Sequence, residues 1–203
     1  MQFKVINILD AVGHMSNDAL MQLLGSFSCT KNKQMEHFLQ ANAVSCAKQR
    51  FAITYLVLNQ NNELCGFFTL THKPVFFDKE RIDGKRKRRV RQFCVRSLSG
   101  EQQENDEQLL ASAFLIAQLA KSSSEMTGEK ATGGELMSFA LQTLEEIQKS
   151  IGGGLVFLEC EDEEKLLAFY ERQGFCKFGE RDSRSYDGQF YHQLLRVLEL
   201  TRR

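Results

Sequence analysis

The order of apolar and polar positions in the first third of the chain predicts a strand, two helices and a hairpin. Alternating apolar and polar residues are typical of a strand buried on one side, whereas apolar residues that recur every three or four positions indicate a helix. The segments that follow these patterns are a strand over 3–9, helices over 17–24 and 32–48, and strands over 53–58 and 64–71. The residues Asn59-Gln-Asn-Asn62 between the last two strands favour a turn, so we expect these strands to form an antiparallel pair that Pro74 ends.

The second half of the chain follows the order strand, loop, helix and strand, which is typical of a crossover unit. The pattern predicts an apolar strand over 111–120, a loop of small residues over 122–134 and a helix with a wide apolar stripe over 134–149. Gly152-Gly-Gly154 then precedes the short apolar strand 155–158, which we expect to be covered on both faces. A closing strand over 190–198 is expected to pair with one that begins near Cys176. The whole pattern predicts an α/β fold.

Composition fits one domain without a strong overall charge. A chain of 203 residues, 42% of them hydrophobic, can bury a substantial core, so we expect a single domain over 1–203. The 26 Lys and Arg residues balance the 26 Asp and Glu residues, so any attraction to nucleic acid must come from local clusters.

Membrane, metal and disulfide chemistry find no support in the sequence. The longest clean apolar stretch, over 113–120, is too short to span a bilayer and contains Gln118, so we expect no membrane association. The four histidines show no ligand spacing, which predicts no metal site. The six cysteines form no C-x-x-C pair, and no basic region followed by an apolar core opens the sequence. We therefore expect reduced thiols in a cytoplasmic protein.

A basic segment over 78–98 is the densest local charge cluster, and an acidic loop over 99–108 follows it. Apolar residues recur in the basic segment at helical spacing, which predicts a docked amphipathic helix with outward-facing cations. The nucleic-acid-binding candidates on it are Lys85, Arg86, Arg88 and Arg89. Such a helix can follow phosphates without reading bases, or it can be a solvated face balanced in part by the acidic loop. Both interpretations stay open.

The short helix after strand 155–158 carries the most informative side chain, Tyr170. Asp162 is placed to cap this helix, and Gly174 is placed to end it in a left-handed conformation. Tyr170 falls on the apolar face, so we expect its phenol to point toward the sheet. The alternative to a catalytic tyrosine is a core tyrosine whose hydroxyl is satisfied.

The loop that precedes helix 134–149 is the candidate anion site. Unpaired amides and the helix dipole at a helix N-terminus favour an anion such as a pyrophosphate. An ordinary glycine-rich turn would contain similar residues, so the loop alone leaves the choice open.

These segments, taken in order, resemble a known family. A strand, a helix ending in Phe169-Tyr170-x-x-x-Gly174-Phe175 and a further strand resemble the C-terminal half of the GNAT family of acetyl-CoA-dependent N-acetyltransferases. Upstream, the segments that resemble the subgroup with toxin-type acetyltransferases are Phe27-Ser-Cys-Thr-Lys-Asn32, the helix over 34–48, the strand 54–58 and Gly66-Phe-Phe-Thr-Leu70. The resemblance covers most of the chain and implies a GNAT-like domain with a mixed central sheet of about six or seven strands flanked by helices.

The resemblance implies a role for each candidate residue. Tyr170 matches the family's general acid, which protonates the departing thiolate of coenzyme A. The family's pyrophosphate loop begins with Arg or Gln, which this chain lacks, and Glu129 adds a carboxylate that Lys130 would offset. The acidic residues themselves, and not the resemblance, suggest that Glu159 and Glu161 attract a cationic amine or relay its proton through water, unless they belong to a solvated rim. The cofactor-binding candidates, including the strand end whose main chain would hold the thioester carbonyl, are Leu119, Ala120, Lys121, Gly128, Glu129, Lys130, Ala131, Thr132, Gly133 and Gly134.

The resemblance therefore predicts an N-acetyltransferase that moves acetyl from acetyl-CoA to a primary amine by direct attack. The acceptor stays open among aminoacyl-tRNA, protein amines, polyamines and antibiotics, and toxin-type relatives favour aminoacyl-tRNA. An antitoxin and a second copy of the chain are the implied protein partners. The alternative is a non-catalytic GNAT-like module that binds nucleic acid or a protein through its basic segment, which the departure at Glu129 favours.

Overall fold

The computed structural model describes residues 3–78, 84–94, 108–125, 127–183 and 188–198. The strands are β1 (Phe3–Asn7), β2 (Ile53–Asn59), β3 (Leu64–Asp78), β4 (Gln108–Lys121), β5 (Leu155–Glu161), β6 (Cys176–Ser183) and β7 (Gln189–Val197). The helices are α1 (Ile8–His14), α2 (Asn17–Gly25), α3 (Lys33–His37), α4 (Ala43–Lys48), α5 (Gly84–Arg91), α6 (Gly133–Ile151) and α7 (Glu164–Arg172). A π-helical turn over Phe38–Asn42 joins α3 to α4, so the predicted helix 32–48 is one segment with a local expansion.

The seven strands form one mixed sheet in the order β1-β2-β3-β4-β5-β7-β6. β4 and β5 are parallel, and α6 lies between them in sequence, which is the crossover unit that the pattern predicts. β2 pairs antiparallel with β3, and β6 pairs antiparallel with β7. The mixed sheet and its flanking helices confirm the predicted fold class. None of the described helices is both long and apolar enough to cross a membrane.

Within the described residues, the chain divides into two compact units. The first unit comprises residues of 1–71 and 116–143, and the second comprises residues of 72–115 and 144–203. The boundaries of the units fall inside β3, β4 and α6. That the whole chain is a single domain stays a prediction.

The core of the first unit forms where apolar faces of its helices meet the inner residues of β2 and β3. Leu24, Leu39 and Leu56 are fully buried in this cluster. The rings of Phe27 and Phe67 meet edge to face, with their centroids 5.2 Å apart. Such large buried side chains supply the hydrophobic stabilisation of this unit.

The core of the second unit anchors the basic helix α5. Val90 is completely buried in it, while Arg88 and Arg89 are exposed, so the predicted docked amphipathic helix is confirmed over Gly84–Arg91. The side chains of Lys85 and Arg86, and the acidic loop up to residue 107, lie outside the described residues. Phe93 continues the apolar side of α5 and packs over Gly154, where an added Cβ would collide with the ring.

Two predicted element boundaries are wrong for identifiable reasons. The first strand ends at Asn7, because the Asn7 side-chain oxygen accepts a hydrogen bond from the Leu9 amide (2.9 Å) and so caps α1. β3 continues past Pro74 to Asp78. Pro74 is exposed there, and a proline fits within a strand where its nitrogen has no ladder bond to make.

Candidate active site

The start of α6, in the first unit, is closed by a capping box. The Glu135 amide donates to the Thr132 hydroxyl (3.2 Å), and the Thr132 amide donates back to the Glu135 carboxylate (2.8 Å). These bonds from Thr132 hold the pKa of Glu135 below its usual value, so the carboxylate is ionised at neutral pH. The helix N-terminus therefore already has one negative group.

A second carboxylate, that of Glu63, holds the beginning of the same loop. Its Oε2 accepts hydrogen bonds from the Asn59 side chain (2.6 Å) and from the Gly128 amide (3.0 Å). The Asn59 bond, followed by the Gly128 bond, lowers the pKa of Glu63. The Cys65 thiol donates to the Glu129 carbonyl (3.1 Å), which fixes the loop to β3. The loop is thus tied down by side chains of the β2–β3 hairpin.

These bonds leave fewer backbone amides free to bind an anion than the sequence suggested for the whole loop. The amides of Gly128 and Thr132 are occupied by carboxylates. Those of Gly133 and Gly134, the first two residues of α6, make no hydrogen bond with any described residue. Lys130 and Glu129 are both exposed beside them. The arrangement offers two adjacent open amides at a helix N-terminus, flanked by charges of both signs.

The end of β4, also in the first unit, packs tightly against β3. Ala120 is buried, and its carbonyl oxygen lies 2.8 Å from where a Cβ of Gly66 would stand. The Ser122 amide donates to the Cys65 carbonyl (2.7 Å), whereas Lys121 is exposed. Gln118, two residues before Ala120 on β4, has a buried side-chain oxygen without a hydrogen-bond donor among the described residues.

Tyr170 lies on α7 in the second unit, where the local sequence fixes the helix end. The Gly174 amide donates to the Glu171 carbonyl (2.8 Å), the Phe175 amide donates to the Tyr170 carbonyl (3.1 Å), and Gly174 has a φ of +81°. This is a Schellman motif, and it confirms the left-handed end predicted at Gly174. The motif also brings the Phe175 ring to the Tyr170 ring, with centroids 6.0 Å apart.

The phenol of Tyr170 is held in its protonated form. Burial raises its pKa, with a smaller contribution from the nearby Cys160 thiol group when that is ionised. Burial also raises the pKa of Cys160 to about 11, and the charges of Asp162 and Glu161 add to this shift. No described residue forms a hydrogen bond with the Tyr170 hydroxyl. Tyr170 is half-buried, and its hydroxyl is not among the fully buried unpaired polar atoms of the described residues, so its catalytic role stays a prediction beside that of a core tyrosine.

Glu159, the second catalytic candidate, lies on β5 and is engaged by two side chains. Its Oε2 accepts from the Arg181 Nε (2.8 Å), and its Oε1 accepts from the side-chain Nε2 of Gln193 (2.9 Å). Arg181 also stacks over the Tyr191 ring, 4.5 Å from its centroid. The bonds keep Glu159 in one orientation, and its part in proton transfer stays a prediction.

The sequence reasoning missed a pair formed by His192 and Asp162. The Asp162 carboxylate lies 2.9 Å from the His192 Nε2, while Nδ1 of this buried ring has no partner among the described residues. The prediction that Asp162 caps α7 is wrong, because Glu163 is the N-cap and makes no side-chain cap bond. Only the β5–β7 register, which sets Cys160 opposite His192, places these distant residues together. Within the described residues, no cluster of three or more metal-ligating side chains occurs.

The fold is shared with solved structures of bacterial toxins. AtaT complexed with acetyl-methionyl-tRNAfMet matches with a TM-score of 0.65 at 15% identity, over 96% of this chain and 94% of that chain. AtaT bound to the C-terminus of the antitoxin AtaR and acetyl-CoA matches with a TM-score of 0.61 at 14% identity, over 97% and 94%. A mutant of KacT matches with a TM-score of 0.58 at 17% identity, over 95% of each chain. No family model and no curated protein matches the sequence. At these identities the likeness shows the fold, and it confirms the GNAT-like architecture that the sequence motifs predicted.

Proposed function

We propose that this protein is an acetyl-CoA-dependent N-acetyltransferase that acts on a primary amine by direct attack. The observation that carries the proposal is Tyr170, a half-buried and protonated phenol without a hydrogen-bond partner among the described residues. It lies on the helix that follows β5 in a GNAT-like fold. A phenol held in this way can donate its proton to a leaving group.

The reaction needs a proton donor and a path for the proton of the amine. Acetyl-CoA, when bound, supplies the acetyl group as a thioester. The amine nitrogen forms the new C–N bond, the C–S bond breaks, and Tyr170 donates its proton to the departing sulfur. The cationic amine loses one proton to water before it attacks and a second proton after the C–N bond forms, with Glu159 as the carboxylate that attracts the cation and relays these protons. Tyr170 then recovers a proton from solvent.

The residues at the start of α6 fit a pyrophosphate over a shorter stretch of the chain than the sequence suggested. The open amides of Gly133 and Gly134 would bind it, and Lys130 would offset the charge of Glu129. The main chain of Leu119, Ala120 and Lys121 would hold the thioester carbonyl by its amides, as the family resemblance implies. Gly128 and Thr132 would position the loop without touching the phosphates, since carboxylates occupy their amides.

The favoured acceptor is the amine of an aminoacyl-tRNA. Two observations support it: an AtaT structure contains acetyl-methionyl-tRNAfMet, and the exposed arginines of α5 offer charge to an RNA backbone. The AtaT structure with AtaR similarly supports an antitoxin as a protein partner. We place the activity in the cytoplasm, where these partners occur. A homodimer stays a prediction.

Transfer of labelled acetyl tests the function directly. Radiolabelled acetyl-CoA is incubated with the protein and bulk aminoacyl-tRNA, and in parallel with spermidine and a lysine peptide. We expect the label in the tRNA fraction, and we expect hydrolysis of the aminoacyl ester bond to release it from the tRNA. Label only in spermidine or in the peptide would support an acetyltransferase with a different acceptor. No transfer to any of the three would contradict the proposal.

A non-catalytic module is the second candidate, because of the carboxylates around the anion site. Glu63, Glu129 and Glu135 all lie at or beside the loop that would hold the pyrophosphate. Calorimetric titration with acetyl-CoA separates the two candidates, since only the enzyme requires saturable binding. Gly133→Val should weaken that binding by obstructing the backbone approach, while Gly25→Val, at an open helical position, should not.

A further inference from the structure

A cavity in the second unit gathers three arginines outside the proposed catalytic residues. Its volume is about 410 Å³, and Arg89, Arg172 and Arg196 all line it. The remaining lining residues in the described part of the chain are uncharged. We call it the arginine pocket. It shares no residue with the loop proposed to hold acetyl-CoA.

Three separate elements bring these arginines to one place. Arg89 belongs to α5, which the buried Val90 anchors in the core of the second unit. Arg172 is the last residue of α7. Arg196 lies on β7, and its Nη1 donates to the Gln173 carbonyl (2.5 Å) at the end of α7. The convergence is therefore built by the fold and does not come from one charged run in the sequence.

The Arg196 guanidinium lies beside Gly174, at ordinary contact distance from where a Cβ would stand. A Cβ at this position would stand 3.8 Å from Nη1 and 3.9 Å from Cζ of Arg196. The bond from Arg196 also neutralises part of the negative dipole at the C-terminus of α7, which would otherwise oppose an anion. Arg196 is thus bound to the end of α7, whereas Arg89 and Arg172 remain for a ligand.

The charges of the pocket are not balanced from within the described residues. Neither Arg89 nor Arg172 forms an ion pair or a hydrogen bond there through its guanidinium, and both side chains are exposed. Like charges that converge in one cavity repel each other, so an anion between them lowers the free energy of the site. Guanidinium groups bind phosphate oxygens in pairs through parallel N–H donors.

We propose that the arginine pocket binds a phosphate group. The cavity volume suits a nucleotide-sized ligand, and it lies within the range of small-molecule sites. The phosphate comes either from a free phosphomonoester or from a nucleic acid strand. In the second case the exposed Arg88 and Arg91 of α5 would reach neighbouring phosphates of the same strand.

Titration of the full chain with two probes tests the proposal and identifies the source. Adenosine monophosphate represents the phosphomonoester, and a short fluorescein-labelled oligouridylate represents the strand. Binding is measured at low salt, by calorimetry for the nucleotide and by anisotropy for the RNA. Either probe bound by the parent chain should lose about tenfold or more in affinity in the double variant Arg89→Gln, Arg172→Gln, since each removes a charge-assisted bond.

Three further variants keep the result interpretable. Arg91→Gln removes the same charge from α5 outside the pocket and should retain most of the nucleotide affinity. Arg172→Lys keeps the charge but loses the paired donors, so an intermediate affinity is expected. Gly133→Val disables the proposed acetyl-CoA loop and should leave binding at the pocket unchanged, which separates a failure of the pocket from a failure of the proposed function.

Two results would overturn the proposal. One is that the parent binds neither probe. The other is equal affinity in the parent and the Arg89→Gln, Arg172→Gln variant, for instance with nucleotide binding lost only in Gly133→Val. Binding of adenosine monophosphate alone would assign the pocket to a small phosphomonoester, and binding of the oligonucleotide alone would assign it to a nucleic acid strand.

Discussion

Replacing Gly66 by alanine tests the close packing of β3 against β4 and α6 in the first unit. An added Cβ would stand 2.8 Å from the Ala120 carbonyl oxygen and 2.8 Å from Cδ1 of Leu136. The Leu136 side chain can rotate away only within a buried environment, and the carbonyl belongs to the backbone of a neighbouring strand. Overpacking of this kind costs about 1–3 kcal/mol, and we expect the upper half of that range because one of the two contacts is with backbone.

Urea unfolding of Gly66→Ala beside the parent measures this cost. Gly25→Ala is the matched control, because it lies in α2 and no atom stands within 4 Å of its added Cβ. The control should keep parental stability or gain up to about 1 kcal/mol from helix propensity. A Gly66→Ala protein as stable as the parent would refute the reasoning, since it would show that β4 and α6 move apart without cost.

Three further predictions concern stability and proton transfer. Thr132→Ala should remove the side-chain cap of α6 and lower the free energy of unfolding by about 0.5–2 kcal/mol in urea titration, and an unchanged midpoint would contradict the cap. The folded pKa of Cys160, about 11, lies above its ordinary value of 9.0, so its contribution to stability is complete below pH 9 and is lost as the pH rises toward 11. Cys160→Val should flatten this decline in pH-dependent unfolding, and an identical slope would remove the thiol as its cause. Glu159→Gln should lower kcat on the order of tenfold without changing acetyl-CoA affinity. Parental turnover in this variant would show that water accepts the amine protons without Glu159.

Periodicity predicted most elements of the fold because their apolar faces are long and regular. The stripe of α6 and the short apolar run of β5 are examples. α1 was missed because its start depends on a single hydrogen bond to the Asn7 side chain. The alternation of apolar and polar residues continues past this point and so does not show where the strand ends. The π-helical turn before α4 was missed because one extra residue hardly alters helical spacing over a short segment.

The candidate site was less readable, because it depends on partners far away in sequence. The resemblance selected Tyr170, and the local Gly174 signal placed the end of its helix. No local pattern showed that Glu63 would occupy the Gly128 amide or that His192 would meet Asp162, since 65 and 30 residues separate these pairs. The capping box of Thr132 and Glu135 did have a sequence signal, which is the spacing of three residues from a threonine to a glutamate.

The turnover of Tyr170→Phe tests the central claim most directly. Release of coenzyme A is followed with a thiol reagent under saturating acetyl-CoA and acceptor, and acetyl-CoA affinity is measured separately by calorimetry. The account predicts a fall in kcat of at least about a hundredfold with unchanged affinity, because the ring still packs and only the proton donor is lost. Tyr55→Phe, which removes a phenol from the first unit, should keep parental kcat. A Tyr170→Phe protein that keeps the parental kcat would contradict the account.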